Sequence, residues 1–119
     1  NIHATIHTED FNHMKGTQQG GSIRLPDVSE EFHTYTVEWY EDRILFLVDG
    51  EQYYRFSPFV YIVDPTSREW PFDRRFHLIL NIAVGGNWGG AQGVDETIWP
   101  VTMEVDFVRV YQDANREPE

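Results

Sequence analysis

The sequence contains no cysteine, so it has no disulfide frame, no thiolate ligand for a metal and no sulfur nucleophile. It is also poor in positive charge. Nine lysines and arginines stand against 20 aspartates and glutamates, for a formal charge of −11. A surface of that sign repels a phosphate backbone and gains nothing from counterion release, which argues against nucleic acid and equally against an anionic membrane face. No run of 18 apolar residues occurs, so no membrane-crossing helix is expected. The first residues carry neither a basic stretch nor an apolar h-region, so no export signal is visible. The opening NIHATIHT reads instead as the middle of a longer product. These absences leave a neutral ligand as the simple case.

What the chain does have is aromatic surface: four Trp, six Tyr and eight Phe in 119 residues. That load suits β-structure or a ligand groove, and the length suits one domain with a modest core. Ile2, Ala4 and Ile6 alternate with His3, Thr5 and His7, the period of a strand with one apolar and one polar face. Residues 9–22, with Gly16, Gly20 and Gly21, read as loop. Tyr35, Val37 and Trp39 alternate with Thr34, Thr36 and Glu38 as a half-buried strand, which puts Trp39 on its buried face. Ile44 to Val48 is apolar on both faces, Asp49-Gly50 is the positive-φ pair of a type I′ hairpin, and Gln52 to Phe56 is the returning partner. Pro58, Pro65 and Pro71 mark a long connection with one short helical turn. Phe76 to Val84 reads as a central strand buried on both faces, and Met103 to Tyr111 as the last strand. The pattern is all-β, a sandwich of antiparallel sheets.

Three constellations carry candidate chemistry. On a strand His3 and His7 share a face but stand about 13 Å apart at about 3.3 Å per residue, too far for one metal ion. They are either hydrogen-bonding groups lining a groove or part of a solvated face. Glu104 and Asp106 point the same way, roughly 7 Å apart. Such a pair could serve glycoside hydrolysis, be merely solvated, or recruit a hard cation such as calcium. The stretch LNIAVGGNWGG lacks the spacing and the lysine of a phosphate loop. Trp88 there either lies flat against a sugar or folds back as a lid on the core, while Asn87 offers an amide to hydroxyls. Asn81, inside LILNIAV, must pair with a neighbour or face a wet cleft, because burying a bare amide is unfavourable. Trp39 and Trp70 read as packing residues.

Taken in order, the segments FHTYTVEWYEDRILFLVDGEQYYRF, WPFDRRFHLILNIAVGGNWGG and MEVDFVRVYQ resemble the C-terminal half of glycoside hydrolase family sixteen, with IHATIHTEDFNHMKGTQQGG similar to the strand and cleft loop after its catalytic strand. Within the family the likeness is greatest to bacterial endo-β-1,3-glucanases, the laminarinases. The resemblance implies a jelly-roll of two curved antiparallel sheets, of which residues 1–112 supply about half or somewhat more and residues 113–119 form a frayed tail. It implies retaining hydrolysis of internal glucan bonds with no cofactor for the chemistry. The catalytic motif E-x-D-x-x-E is not in this chain. Glu104-Val-Asp106 has Arg109 where the second glutamate would stand, so no residue here is assigned a catalytic role. The resemblance places His3, Thr5, His7, Asn81, Asn87 and Trp88 along the substrate cleft. It sets Asp106 beside a structural calcium. It implies as partners a β-glucan and either the N-terminal half of the enzyme or a second copy covering open strand edges, in a secreted or periplasmic setting. The alternative is an inert β-glucan-binding or structural module.

Overall fold

The computed structural model describes residues 1–12 and 14–115. The last four residues of the expected frayed tail lie outside the described residues. Among the described residues five strands are formed: β1 (Ile2–Ile6), β2 (Gln19–Ile23), β3 (Tyr35–Trp39), β4 (Ile44–Val48) and β5 (Glu51–Phe56). β1 and β2 pair antiparallel, and β3, β4 and β5 form a second antiparallel sheet with β4 in the middle. Two compact units divide the chain, residues 1–77 and 78–119, and all five strands lie in the first.

The β4–β5 hairpin forms where the turn chemistry predicts. Asp49 (φ 49°) and Gly50 (φ 81°) both adopt the left-handed conformation of a I′ turn, whose twist matches that of the flanking strands. β4 is buried at both ends, at Ile44 and Val48, as befits a strand with neighbours on each side. Its register against β5 shifts between Phe46 and Leu47: Phe46 faces Tyr54 and Leu47 faces Gln52. Tyr53 is therefore an extra residue, a bulge that bends the edge strand.

The core of the first unit is aromatic. Ile6 of β1, Ile44 of β4, Phe56 of β5 and Trp70 are buried together, with Phe11, Phe46, Tyr54 and Phe72 packed against them. Trp70 stacks on Phe56 at 6.1 Å, and Phe11 meets Phe56 edge-on at 5.6 Å. Burial of an indole requires a partner for its N–H, and Trp70 Nε1 donates to the Glu41 carbonyl at 2.8 Å. The connection after β5 carries the expected short turn, a 3-10 helix at Pro58–Val60. It is tied to the loop after β1 by Arg68, which bonds Asp10 through Nε and Nη2 and also reaches Glu9. Those bonds hold the Asp10 carboxyl below its usual range.

Four expectations need correction. Residues 19–22 are strand rather than loop, because β1 offers them a full antiparallel ladder from Ile2–Ile23 to Ile6–Gln19. The apolar face of β3 is not buried: Trp39 is 45% exposed, as are Tyr35 and Val37 to a greater degree. Its indole is nevertheless anchored, Nε1 donating to the Phe72 carbonyl at 2.7 Å with the ring edge-on to Phe76. Finally, neither residues 76–84 nor residues 103–111 form a strand, and their large apolar side chains are exposed. A strand exists only where a ladder partner stands beside it, and the described residues provide none for either segment.

The aromatic nucleus predicts its own weak point. Phe56→Ala should lower the unfolding free energy of the chain by roughly 3–5 kcal/mol, the range for deleting a buried phenyl. The check is the urea midpoint followed by Trp70 fluorescence; a change below about 1 kcal/mol would mean the ring is not central.

Candidate functional site

Burial of Ala4 and Ile6 on one side of β1 turns His3, Thr5 and His7 to the other. Across the ladder His3 stands opposite Ser22, and Thr5 opposite Gly20. The result is an open groove of about 350 Å³ whose walls include His3, Thr5, Gln18 and Ser22, with Gly20 and Gly21 beneath. No aspartate, glutamate, lysine or arginine among the described residues lines it. In a chain of charge −11 this is a hollow free of carboxylates and edged with hydroxyl, amide and imidazole groups, which suits a neutral polyol.

The glycines are required here by close approach. A Cβ on Gly20 would sit 2.7 Å from the Ala4 carbonyl oxygen, and one on Gly21 would sit 2.7 Å from Cδ2 of Tyr54. Gln18 and Ser22 were not legible as site residues, since the stretch has no apolar alternation. The signal that could have found them is the glycine pair, which lets a second backbone lie against β1.

His7 follows β1, is exposed, and is not among the groove's lining residues. The structure thus brings together His3 and Thr5 of the three polar residues on that face. Among the described residues no group of three or more histidines or carboxylates is placed to hold a metal ion.

The remaining candidates lie in the second unit. Asn87 and Trp88 share one helical turn, Gly86–Gly89, entered through Gly85 (φ 75°) and Gly86 (φ 77°). Two successive left-handed residues explain the glycines, and they lift Trp88 out to 78% exposure, so the indole is no lid on a core. Asn81 is exposed on a segment without ladder partners, which leaves it facing water. Asp106 is also exposed. Calcium takes six to eight oxygens, more than one carboxylate supplies. The same unit holds an apolar hollow of about 290 Å³ whose lining includes Ile82, Val84, Val94, Ile98 and Trp99. Beside it the Asp95 carboxylate accepts from Thr97 N at 2.9 Å and Thr97 Oγ1 at 2.6 Å, which depresses its pKa.

With antiparallel sheets and a polar groove on the page, the comparison with known proteins is direct. The chain belongs to the glycosyl hydrolases family 16, whose model matches residues 1–109. It is similar to a beta-glucanase of Rhodothermus marinus, 52% identical over 113 residues that make up 93% of this chain and 39% of that protein. The solved structure of the laminarinase from Rhodothermus marinus superposes with a TM-score of 0.77 at 50% identity, covering 82% of this chain and 39% of that one. A mutant of SCLam, described as a non-specific endo-beta-1,3(4)-glucanase crystallised with a glucose oligosaccharide at its active site, gives 0.72 at 45% identity over 81% of this chain and 36% of its own. These likenesses put the chain in the β-jelly-roll class. It spans about two fifths of the length of the relatives it matches.

Gly20→Ala tests the groove floor. The carbonyl of Ala4 is backbone and yields little, so the variant should lose about 1–3 kcal/mol of stability, as overpacked sites do. Its β1–β2 amide cross-peaks should shift in NMR spectra; unchanged spectra and stability would show that the two strands are not held at this distance.

Proposed function

We propose that the chain supplies cleft-lining residues of an endo-β-1,3-glucanase that cleaves internal bonds of laminarin-type glucans with retention. The observation that carries this reading is the β1–β2 groove, which presents His3, Thr5, Gln18 and Ser22 with no carboxylate, lysine or arginine of the described residues in its lining. A glucan is a neutral chain of hydroxyls with apolar ring faces. Those groups donate and accept hydrogen bonds to hydroxyls, and the exposed Trp88 ring, with Asn87 beside it, offers an apolar platform for a sugar face. His7 and Asn81, both exposed, are proposed as further hydrogen-bonding contacts to the glucan.

Retaining hydrolysis needs two carboxyl groups about 5–5.5 Å apart, one to attack the anomeric carbon and one to protonate the leaving oxygen. None among the described residues lines this groove, and E-x-D-x-x-E is absent from the sequence. The nucleophile and the acid/base are therefore assigned to a region upstream of residue 1. Binding energy from this chain would then hold the polymer across the reacting carbon, which is where positioning lowers the barrier.

The exposed apolar face of β3 and the 39% share of the related proteins support a partner that completes the sandwich: the N-terminal half of the enzyme, or a second copy covering the open edges. Asp106 would contribute one carboxylate to a structural calcium whose other oxygens come from that partner. A polymeric substrate does not cross membranes, which favours a secreted or periplasmic setting.

The alternative is a β-glucan-binding module without catalysis, and the missing carboxylates are what favour it. Two measurements separate the readings. The 119-residue chain alone should release no reducing sugar from laminarin, and activity should appear when it is mixed with a separately produced family segment that carries E-x-D-x-x-E. Sugar release by the chain alone would overturn the assignment, and binding without any reconstituted activity would favour the inert module. Laminarin should also shift the tryptophan fluorescence, and Trp88→Ala should remove most of that shift; an unaltered response in the variant would take Trp88 out of the cleft.

A further inference from the structure

At the far end of the β3–β5 sheet one histidine stands between two carboxylates. His33 Nδ1 lies 2.7 Å from Asp49 Oδ2, in the β4–β5 turn, and Nε2 lies 3.1 Å from Asp27 Oδ1, in the loop before β3. Only 9% of the imidazole is exposed, against about half of each carboxylate. The Asp49 carboxylate is fixed in place, its Oδ1 accepting from Thr34 N at 2.9 Å while Asp49 N donates to the Thr34 carbonyl. Nε2 has charge contact but no aligned hydrogen bond. The Tyr35 ring meets the imidazole edge-on at 6.5 Å.

A neutral imidazole has one N–H and one lone pair. Whichever carboxylate receives the N–H, the other would face a lone pair at about 3 Å, a repulsive pairing. Only the imidazolium presents an N–H to both. Asp49 is the better-supported partner, so loss of the proton leaves Nδ1–H on Asp49 and turns the Nε2 lone pair toward Asp27. Asp27 is not an idle residue: its carbonyl accepts from Glu30 N and Glu31 N and so organises the loop that leads into β3.

We propose that His33 is a proton-operated latch that, when charged, pins the Asp27 loop to the β4–β5 turn and, on losing its proton to solvent, lets that loop go. The groups facing the imidazole are Asp49 from the turn, Asp27 from the loop and Tyr35 from β3, and the tyrosine is neutral over the range concerned. The sign of the pH dependence follows. The hydrogen bond from His33 to Asp49 leads, with the charges of Asp27 and Asp49, in raising the His33 pKa above 6.5 against the opposing effect of burial. That stabilisation is complete below 6.5 and is lost as pH rises through the folded value. Asp49 is held below 3.8, first by the Thr34 amide and then by His33, so its contribution is present above 3.8 and is lost as pH falls through its lowered value. The latch is closed between those limits. It is independent of the glucan reading, since it involves no cleft residue.

Titration of the His33 imidazole by nitrogen-detected NMR in the 119-residue chain is the test, paired with amide exchange of residues 24–34 corrected for intrinsic rates. His33 should titrate above 6.5, the ordinary value, and protection of the loop should fall several-fold as pH passes that midpoint. In Asp27→Asn, an exposed and near-isosteric change, the midpoint should move down and the pH-dependent fall should vanish. A midpoint at or below the ordinary histidine value, or the same loss of protection in Asp27→Asn, would overturn the proposal.

Discussion

The stacked pair of Phe56 and Trp70, with Ile6 and Ile44 closing around it, is the contact on which the described sheets depend. It joins three parts of the chain that are distant in sequence: β1, the β4–β5 hairpin and the connection after it. Because Ile6 belongs to this nucleus, β1 has a fixed inner face, and the alternation of a strand then sends His3, Thr5 and His7 outward. A slip of one residue in β1 would bury the histidines and expose the isoleucines. The polar groove is in this sense a by-product of where the aromatic rings are buried.

A second constraint is that every strand needs a neighbour. β1 obtains one from a stretch that looks nothing like a strand, because Gly20 and Gly21 carry no Cβ and let the backbone approach. Conversely, the most strand-like stretch in the sequence, from Phe76 to Val84, has no ladder partner among the described residues and leaves its isoleucines and leucines exposed. Apolar area of that kind is unfavourable in water. The larger Rhodothermus marinus protein, of which this chain matches 39%, offers a physical context in which such segments would be covered.

Charge is distributed to the same end. Five of the carboxylates have specific partners: Asp10 and Glu9 engage Arg68, Asp27 and Asp49 enclose His33, and Asp95 caps a turn. Among the described residues, none lines the groove between β1 and β2. A carboxylate-free hollow in a strongly acidic chain repels polyanions from its surroundings while leaving a neutral sugar unaffected.

Several features follow from the residues alone. The I′ turn at Asp49-Gly50 is local, since positive φ is accessible to that pair and matches the strand twist. The two faces of β1 follow from strict alternation of isoleucine and alanine with polar residues. The all-β class and the family follow from motifs in a fixed order. Other features were decided only in three dimensions, because they depend on atoms distant in sequence. Gln18 and Ser22 join the groove only because β2 pairs with β1. Trp39 stays half in water because nothing described covers that side of β3. His33 meets one of its two carboxylates, Asp49, in a turn 16 residues further on, while the other, Asp27, comes from the loop before β3. Local pattern determines which way a side chain points along its own strand. What it meets there is settled by which other backbone comes to lie beside it.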